Sequence, residues 1–167
     1  MDKPLSAHLK SFILPFLMLI ALPAFINYAE YRWDGKPLVT SSLPGLLAGA
    51  VIGLAGLALL VISIRLIIVY ANTTVMPWIP SEKLMVRGPY RYVRNPMILG
   101  VILVMVSEGL LLGSNGILIL ALVFFLVNTL YFILSEEPKL EKRFGEDYHL
   151  YKANVRRWWP RLKPWKN

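Results

Sequence analysis

Two short stretches of this chain carry residue types that could do chemistry. The first, Arg87 to Gly100 (RGPYRYVRNPMILG), gathers Arg87, Arg91 and Arg94 just ahead of an Asn95-Pro96 pair. A residue before proline is pushed out of the helical region, Asn is a favoured N-cap, and Pro is well tolerated at the first helical position, so a helix should start here. Its free N–H groups and the positive end of its dipole would lie beside three guanidinium groups, which is a site for an anion. The second stretch, Ser135 to Tyr151 (SEEPKLEKRFGEDYHLY), begins with the paired acids Glu136 and Glu137 at the end of an apolar run. Burying a charge there is costly unless it is paired or solvated. Each stretch also has a plainer reading. The arginines with Tyr90 and Tyr92 could anchor a helix at a lipid surface. The glutamates could pair with Arg91 or Arg94 and clamp one segment to the other.

Other chemistries are thinly represented. Among 167 residues there are no cysteines, so disulfides, thiolate metal sites and cysteine nucleophiles are excluded. His8 and His149 are far apart in sequence and point to no metal cluster, and no glycine-rich turn for a nucleotide joins a strand to a helix. Glu108 is the one acid deep in an apolar block, about 18 Å of helix beyond Pro96. It lies near the uncharged Gly113 turn and is expected to be structural, away from any cofactor.

What must position these residues is a set of long apolar helices. The chain is 56% hydrophobic with a net charge of +8, and its mean hydropathy is +0.55. The apolar residues come in blocks of membrane-spanning length, which makes the class integral membrane. The positive charge flanks those blocks, so it is not a nucleic-acid signature. The blocks run from Leu9 to Tyr28, Leu43 to Tyr70, Pro96 to Leu112 and Gly116 to Leu134. Pro15 and Pro23 should bend the first, whose basic start and Ala21-Leu22-Pro23-Ala24 run also resemble a signal peptide. Asp34-Gly35 marks a turn in the polar 30–42 connection. In the second block Gly45, Gly49 and Gly53 recur every four residues along one face, where small residues allow close helix approach in lipid. Arg65 can snorkel to the surface. The third block is barely a span, and Gly113-Ser114-Asn115 turns it directly into the fourth. In the tail, Pro138 can begin a helical turn, Gly145 can end one, and Tyr148 and Tyr151 share a face.

The expected fold is therefore all-α: a polytopic membrane protein of four transmembrane helices with a short helical cytoplasmic tail. Residues 1–70 supply two helices and an outer loop. Residues 71–167 form the catalytic core, made of a cytoplasmic loop, a helical hairpin over 96–134 and a tail over 135–167. Lys and Arg are concentrated in the N-terminus, the 71–95 loop and the tail, which places all three in the cytoplasm. The hairpin then returns both chemically equipped stretches to one place. The implied location is a bacterial inner (plasma) membrane.

As a combined pattern, GPYRYVRNPMILG, a two-helix hairpin and EEPKLEKRFGEDYHLYKANVRRWWPR resemble the isoprenylcysteine carboxyl methyltransferase and phospholipid methyltransferase superfamily. The resemblance covers about Glu82 to Arg161. It implies a membrane enzyme that uses S-adenosyl-L-methionine, bound in a cytosol-facing pocket with a tunnel open to lipid for the methyl acceptor. Carried over by position, Glu82, Lys83, Leu84, Met85 and Tyr90 line the cofactor pocket. The family's Arg-His-Pro-x-Tyr is Arg94-Asn95-Pro96-Met97-Ile98 here, and the cofactor-contacting acid is Glu136, with Glu137 the candidate for a catalytic role at the acceptor. Asn95 cannot act as an acid or base near pH 7. Where the isoprenylcysteine branch has an arginine for its substrate carboxylate, this chain has Phe132, so a lipid amine fits at least as well as a carboxylate. The implied partners are membrane lipids and a lipophilic substrate, with no nucleic acid and no metal. Two other readings share the scaffold: a sterol-type reductase using a nicotinamide cofactor, and a non-catalytic membrane protein.

Overall fold

The structure, a computed structural model, describes residues 16–35, 39–70 and 84–166, with the side chain of Tyr70 left aside. Every regular element among them is helical. A π-turn at Leu17–Ala21 leads into α1 (Leu22–Asp34). It is followed by α2 (Leu43–Tyr70), a 3-10 turn at Gly88–Arg91, α3 (Pro96–Leu112) and α4 (Asn115–Tyr131). A second π-turn at Phe132–Glu136 leads into α5 (Glu137–Phe144), and α6 (Glu146–Asn154) precedes an irregular tail. The α2 helix and the continuous helix from Asn115 to Phe144 are long and apolar enough to cross a bilayer, and Pro96–Leu112 is a shorter apolar helix. The apolar part of the second of these ends at Leu134. The first apolar block is described only from Phe16 onward, and Pro15 lies outside the described residues.

Both π-turns have the same local cause. Proline has no N–H to give the carbonyl four residues back, so the regular ladder must shift around it. Before Pro23, the Leu22 N–H reaches Leu17 O; before Pro138, the Glu137 N–H reaches Phe132 O. The first helix also runs past the apolar block to Asp34, since Ala29-Glu30-Tyr31-Arg32 carries no helix breaker. It stops where Gly35 takes a left-handed conformation and donates its N–H to Glu30 O. Asp34-Gly35 is thus a helix end.

Two compact units make up the described chain, and the division falls within α2, α3 and α4. One comprises the described residues up to Ala58 with Gly100–Phe125; the other comprises those of Leu59–Leu99 and Leu126–Asn167. In the first unit the glycine face of α2 lies against α3. A Cβ on Gly49 would meet Ser107 O at 3.2 Å, one on Gly56 would meet Val104 N at 3.0 Å, and one on Gly53 would collide with Ser107 Oγ. That hydroxyl donates to Gly49 O at 2.7 Å. Close approach of backbones is how small residues hold helices together in lipid, where apolar burial gives no net drive. Gly56 extends the stripe beyond the three glycines spaced by four. The hairpin turn is held by Gly113 at φ 68° and by Ser114, whose hydroxyl caps Ile117 N–H at 3.2 Å. Glu30 Oε1 accepts the Gly116 N–H at 2.9 Å, a second cap on the first turn of α4. Glu108 lies in this unit, with Oε2 buried and without a hydrogen bond among the described residues.

Candidate functional site

The second unit contains all the described residues that the sequence nominates. The loop half starts with Leu84 and Met85, both half-buried; Glu82 and Lys83 lie outside the described residues. Leu84 and Val86 pack on a small core formed by Tyr148, Tyr151, Val155 and Trp165. Gly88, at φ 52°, opens the 3-10 turn, and a Cβ there would strike Leu66 Cδ1 of α2 at 2.7 Å. The turn at Gly88-Pro89 is therefore pressed onto the end of a spanning helix, with a left-handed φ that favours glycine.

From Arg91 to Arg94 the loop is strapped by the C-terminal tail. Backbone bonds run from Arg94 N to Arg156 O, from Arg161 N to Tyr92 O and from Trp165 N to Arg91 O, each 2.9 Å. The Arg91 Nε donates to Trp165 O at 2.7 Å. Tyr151 joins the same clamp, its hydroxyl donating to Tyr90 O at 2.6 Å. Tyr148 and Tyr151 do share a face, their rings 6.2 Å apart and edge-on. After the loop, Asn95 O accepts the Leu99 N–H at 3.0 Å and α3 begins at Pro96 as the sequence implies. The capping is done by the Asn95 carbonyl. Its side-chain amide makes no hydrogen bond to a described residue. Met97 and Ile98 are half-buried on the first turn.

The acidic half is shaped by the π-turn, which adds a residue to the helical repeat just where the two glutamates stand. Phe132 is buried, its ring edge-on to Trp158 at 5.7 Å, and Trp158 Nε1 donates to Thr129 Oγ1 at 3.1 Å. The position that could have held a cation for a carboxylate substrate is thus filled by aromatic packing.

Glu137 and Glu136 differ sharply. Glu137 is 4% exposed. Its carboxylate accepts from Arg157 Nε at 2.6 Å, and it pairs with Arg94 Nη1 at 3.3 Å and with Lys152 Nζ at 3.2 Å. Lys152 also holds Glu141 at 2.7 Å. The Arg94 contact is an ion pair that is not aligned as a hydrogen bond, because Arg94 Nη1 and Nε are both buried without a hydrogen-bond acceptor. Burial pushes the Glu137 carboxyl up, but the hydrogen bond from Arg157 and the charges of Arg94 and Lys152 outweigh it and leave it below the ordinary range. Glu136 is half-buried and has no hydrogen bond or ion pair among the described residues. Burial raises its pKa to about 7, with Lys139 opposing and Glu137 adding to the rise. Burial, then the Glu136 charge, also raises the Tyr90 hydroxyl. Burial and then Glu137 raise Tyr148 to about 12.

Of the nominated residues, Arg94 and Glu137 are brought into direct contact, and Glu136 lies within electrostatic reach of Tyr90. Arg91, a candidate partner for the glutamates, instead holds the Trp165 carbonyl. Sequence reasoning did not find Lys152, Arg157 or the Tyr151 hydroxyl. Nothing local marks Arg157 over Arg156 in VRRWWPR. The π-turn did have a signal, in Pro138.

The family model for phospholipid methyltransferases matches residues 46–147, and the chain belongs to that family. With its long apolar helices, that makes it a membrane protein of a methyltransferase family. An uncharacterised protein of Haemophilus influenzae is 37% identical over 62 residues, a stretch that is 37% of this chain and 98% of that protein. No solved structure matches the chain significantly.

Proposed function

We propose that this protein is an S-adenosyl-L-methionine-dependent methyltransferase acting on a lipophilic acceptor in the membrane, a lipid amine or a carboxylate. In this reading it has four transmembrane helices with both termini in the cytoplasm. The observation that carries the reading is the contrast between the adjacent glutamates. Glu137 is held by three cations, whereas the Glu136 carboxylate is half-buried with no hydrogen bond or ion pair among the described residues. A half-buried carboxylate that no described side chain engages is open to the donors of a ligand. The cofactor's ammonium and ribose hydroxyls are donors of that kind. The Asn95 amide, which makes no hydrogen bond to a described residue, and the N–H groups opening α3 at Pro96 suit its carboxylate. Tyr90, Leu84, Met85, Met97 and Ile98 offer apolar walls, and Glu82 and Lys83 complete the set nominated by resemblance. The donor and acceptor groups present therefore fit the cofactor.

When bound, the cofactor supplies an electrophilic methyl group on a sulfonium. The residues here need only align it with the acceptor and keep water out. Arg94 takes part in this reading through Glu137, since its Nη1 lies 3.3 Å from that carboxylate and is buried. A carboxylate held low by three cations is a weak base, which favours a positioning role for Glu137 over one at the acceptor. Phe132 in its aromatic contact favours an amine over a carboxylate. The test has two parts. Calorimetry on detergent-purified protein should show binding of S-adenosylhomocysteine and none of NADPH. Methyl-labelled cofactor should then transfer label into a membrane lipid extract. Binding of NADPH in place of S-adenosylhomocysteine would overturn the reading.

A further inference from the structure

Away from Glu136, the second unit has an open cleft of about 390 Å³ lined by Val86, Arg87, Gly88, Arg91, Trp165 and Lys166. None of these residues is assigned to the cofactor. Three of the six are cations and none is an acid. Arg91 commits only its Nε, to Trp165 O, so its terminal nitrogens have no partner among the described residues, and neither does Lys166. The cleft lies at the edge of the apolar layer, because Gly88 abuts Leu66 near the end of α2. The tail forming its far wall carries Trp159 at 75% exposure and Leu162 fully exposed, flanked by the exposed cations Arg156 and Lys163. The backbone bonds that strap this tail to the loop hold it in place, at Arg156, Arg161 and Trp165. An outward-facing Trp and Leu between cations is the composition that lies in a headgroup layer.

We propose that this cleft docks the headgroup phosphate of an anionic phospholipid of the surrounding bilayer, with Trp159 and Leu162 seated in the interface beside it. The arginine fork suits a phosphate diester, and Lys166 adds a mobile point charge. Such a contact would hold the tail, and with it the loop bearing Arg91 to Arg94, at a fixed depth against the membrane. It goes beyond methyl transfer and does not depend on it.

Native mass spectrometry of the full chain in detergent, titrated with phosphatidylglycerol, tests the assignment. Phosphatidylglycerol should bind in preference to phosphatidylcholine. Lys166→Gln should weaken it roughly fivefold, and Arg87→Gln with Lys166→Gln roughly five times more, as each cation near the surface is removed. Lys166 is exposed, so the single variant should melt as the parent does. Equal binding of the two lipids, or unchanged binding in the double variant, would overturn the proposal. Competition by millimolar inorganic phosphate that abolishes lipid binding would assign the cleft to a soluble anion. Displacement of phosphatidylglycerol by S-adenosylhomocysteine would assign it to the cofactor. Either result also overturns it.

Discussion

Replacing Glu136 and Glu137 by glutamine, one at a time, should move the apo protein in opposite directions. The Glu136 carboxyl titrates near 7 in the folded protein because burial disfavours its charge, and the opposing charge of Lys139 does not offset this. A raised acid pKa means that the folded state holds its proton longer than the unfolded state does. Stability therefore falls as pH rises from about 4.5 to about 7, and the full penalty is present above that. Glu136→Gln removes the penalty, so the variant should melt higher than the parent at pH 8 and alike at pH 4.5. Glu137 has the opposite sign. Its folded pKa is lowered, so it contributes stability above its unfolded value and loses it as pH falls through the folded one. Glu137→Gln strands Arg94 without its counterion, and stripping one partner from a buried pair costs about 3 kcal/mol or more. Ligand affinity should reverse the order. Loss of a charge-assisted hydrogen bond of about 1.5–3 kcal/mol should weaken S-adenosylhomocysteine binding by Glu136→Gln roughly ten- to more than a hundredfold. The folded fraction of Glu137→Gln should keep more of its affinity. Melting curves at the two pH values, beside calorimetry, read both effects. An apo Glu136→Gln protein that is destabilised at pH 8, or one that binds ligand as the parent does, would refute the assignment of an open acceptor.

Four further outcomes are expected. Tyr151→Phe removes the donor to Tyr90 O and should cost about 0.5–1.5 kcal/mol, read by thermal melting. Glu108→Gln, in the other compact unit, should leave S-adenosylhomocysteine affinity unchanged in calorimetry. Gly53→Leu forces a side chain into Ser107, and overpacking of about 1–3 kcal/mol should appear as a lower melting temperature. Asn115→Cys, at an exposed position of the hairpin turn in a chain without cysteines, should be labelled from outside the cell by a membrane-impermeant reagent; labelling only from the cytoplasmic side would reverse the topology.

The elements were legible in the sequence because their causes are local. Apolar runs set the helices at Leu43–Tyr70 and Pro96–Leu112, Asn95-Pro96 set a helix start, and Gly113 and Gly145 set turns with positive φ. The glycines spaced by four announced a close helix contact, since a side-chain period needs no partner to be seen. The segments that build the site were legible too, as was a pairing of Arg94 with the glutamates. What the sequence alone left open was which glutamate is paired and by what. Neighbouring residues on a helix face about 100° apart, and the π-turn before Pro138 shifts that register again. The partners Lys152 and Arg157 arrive from a tail whose course is set by backbone bonds to the loop. Charge type is a property of a residue, but pairing depends on where distant segments meet. Only the tertiary structure therefore separates Glu137, paired with three cations, from Glu136, whose carboxylate no described residue engages.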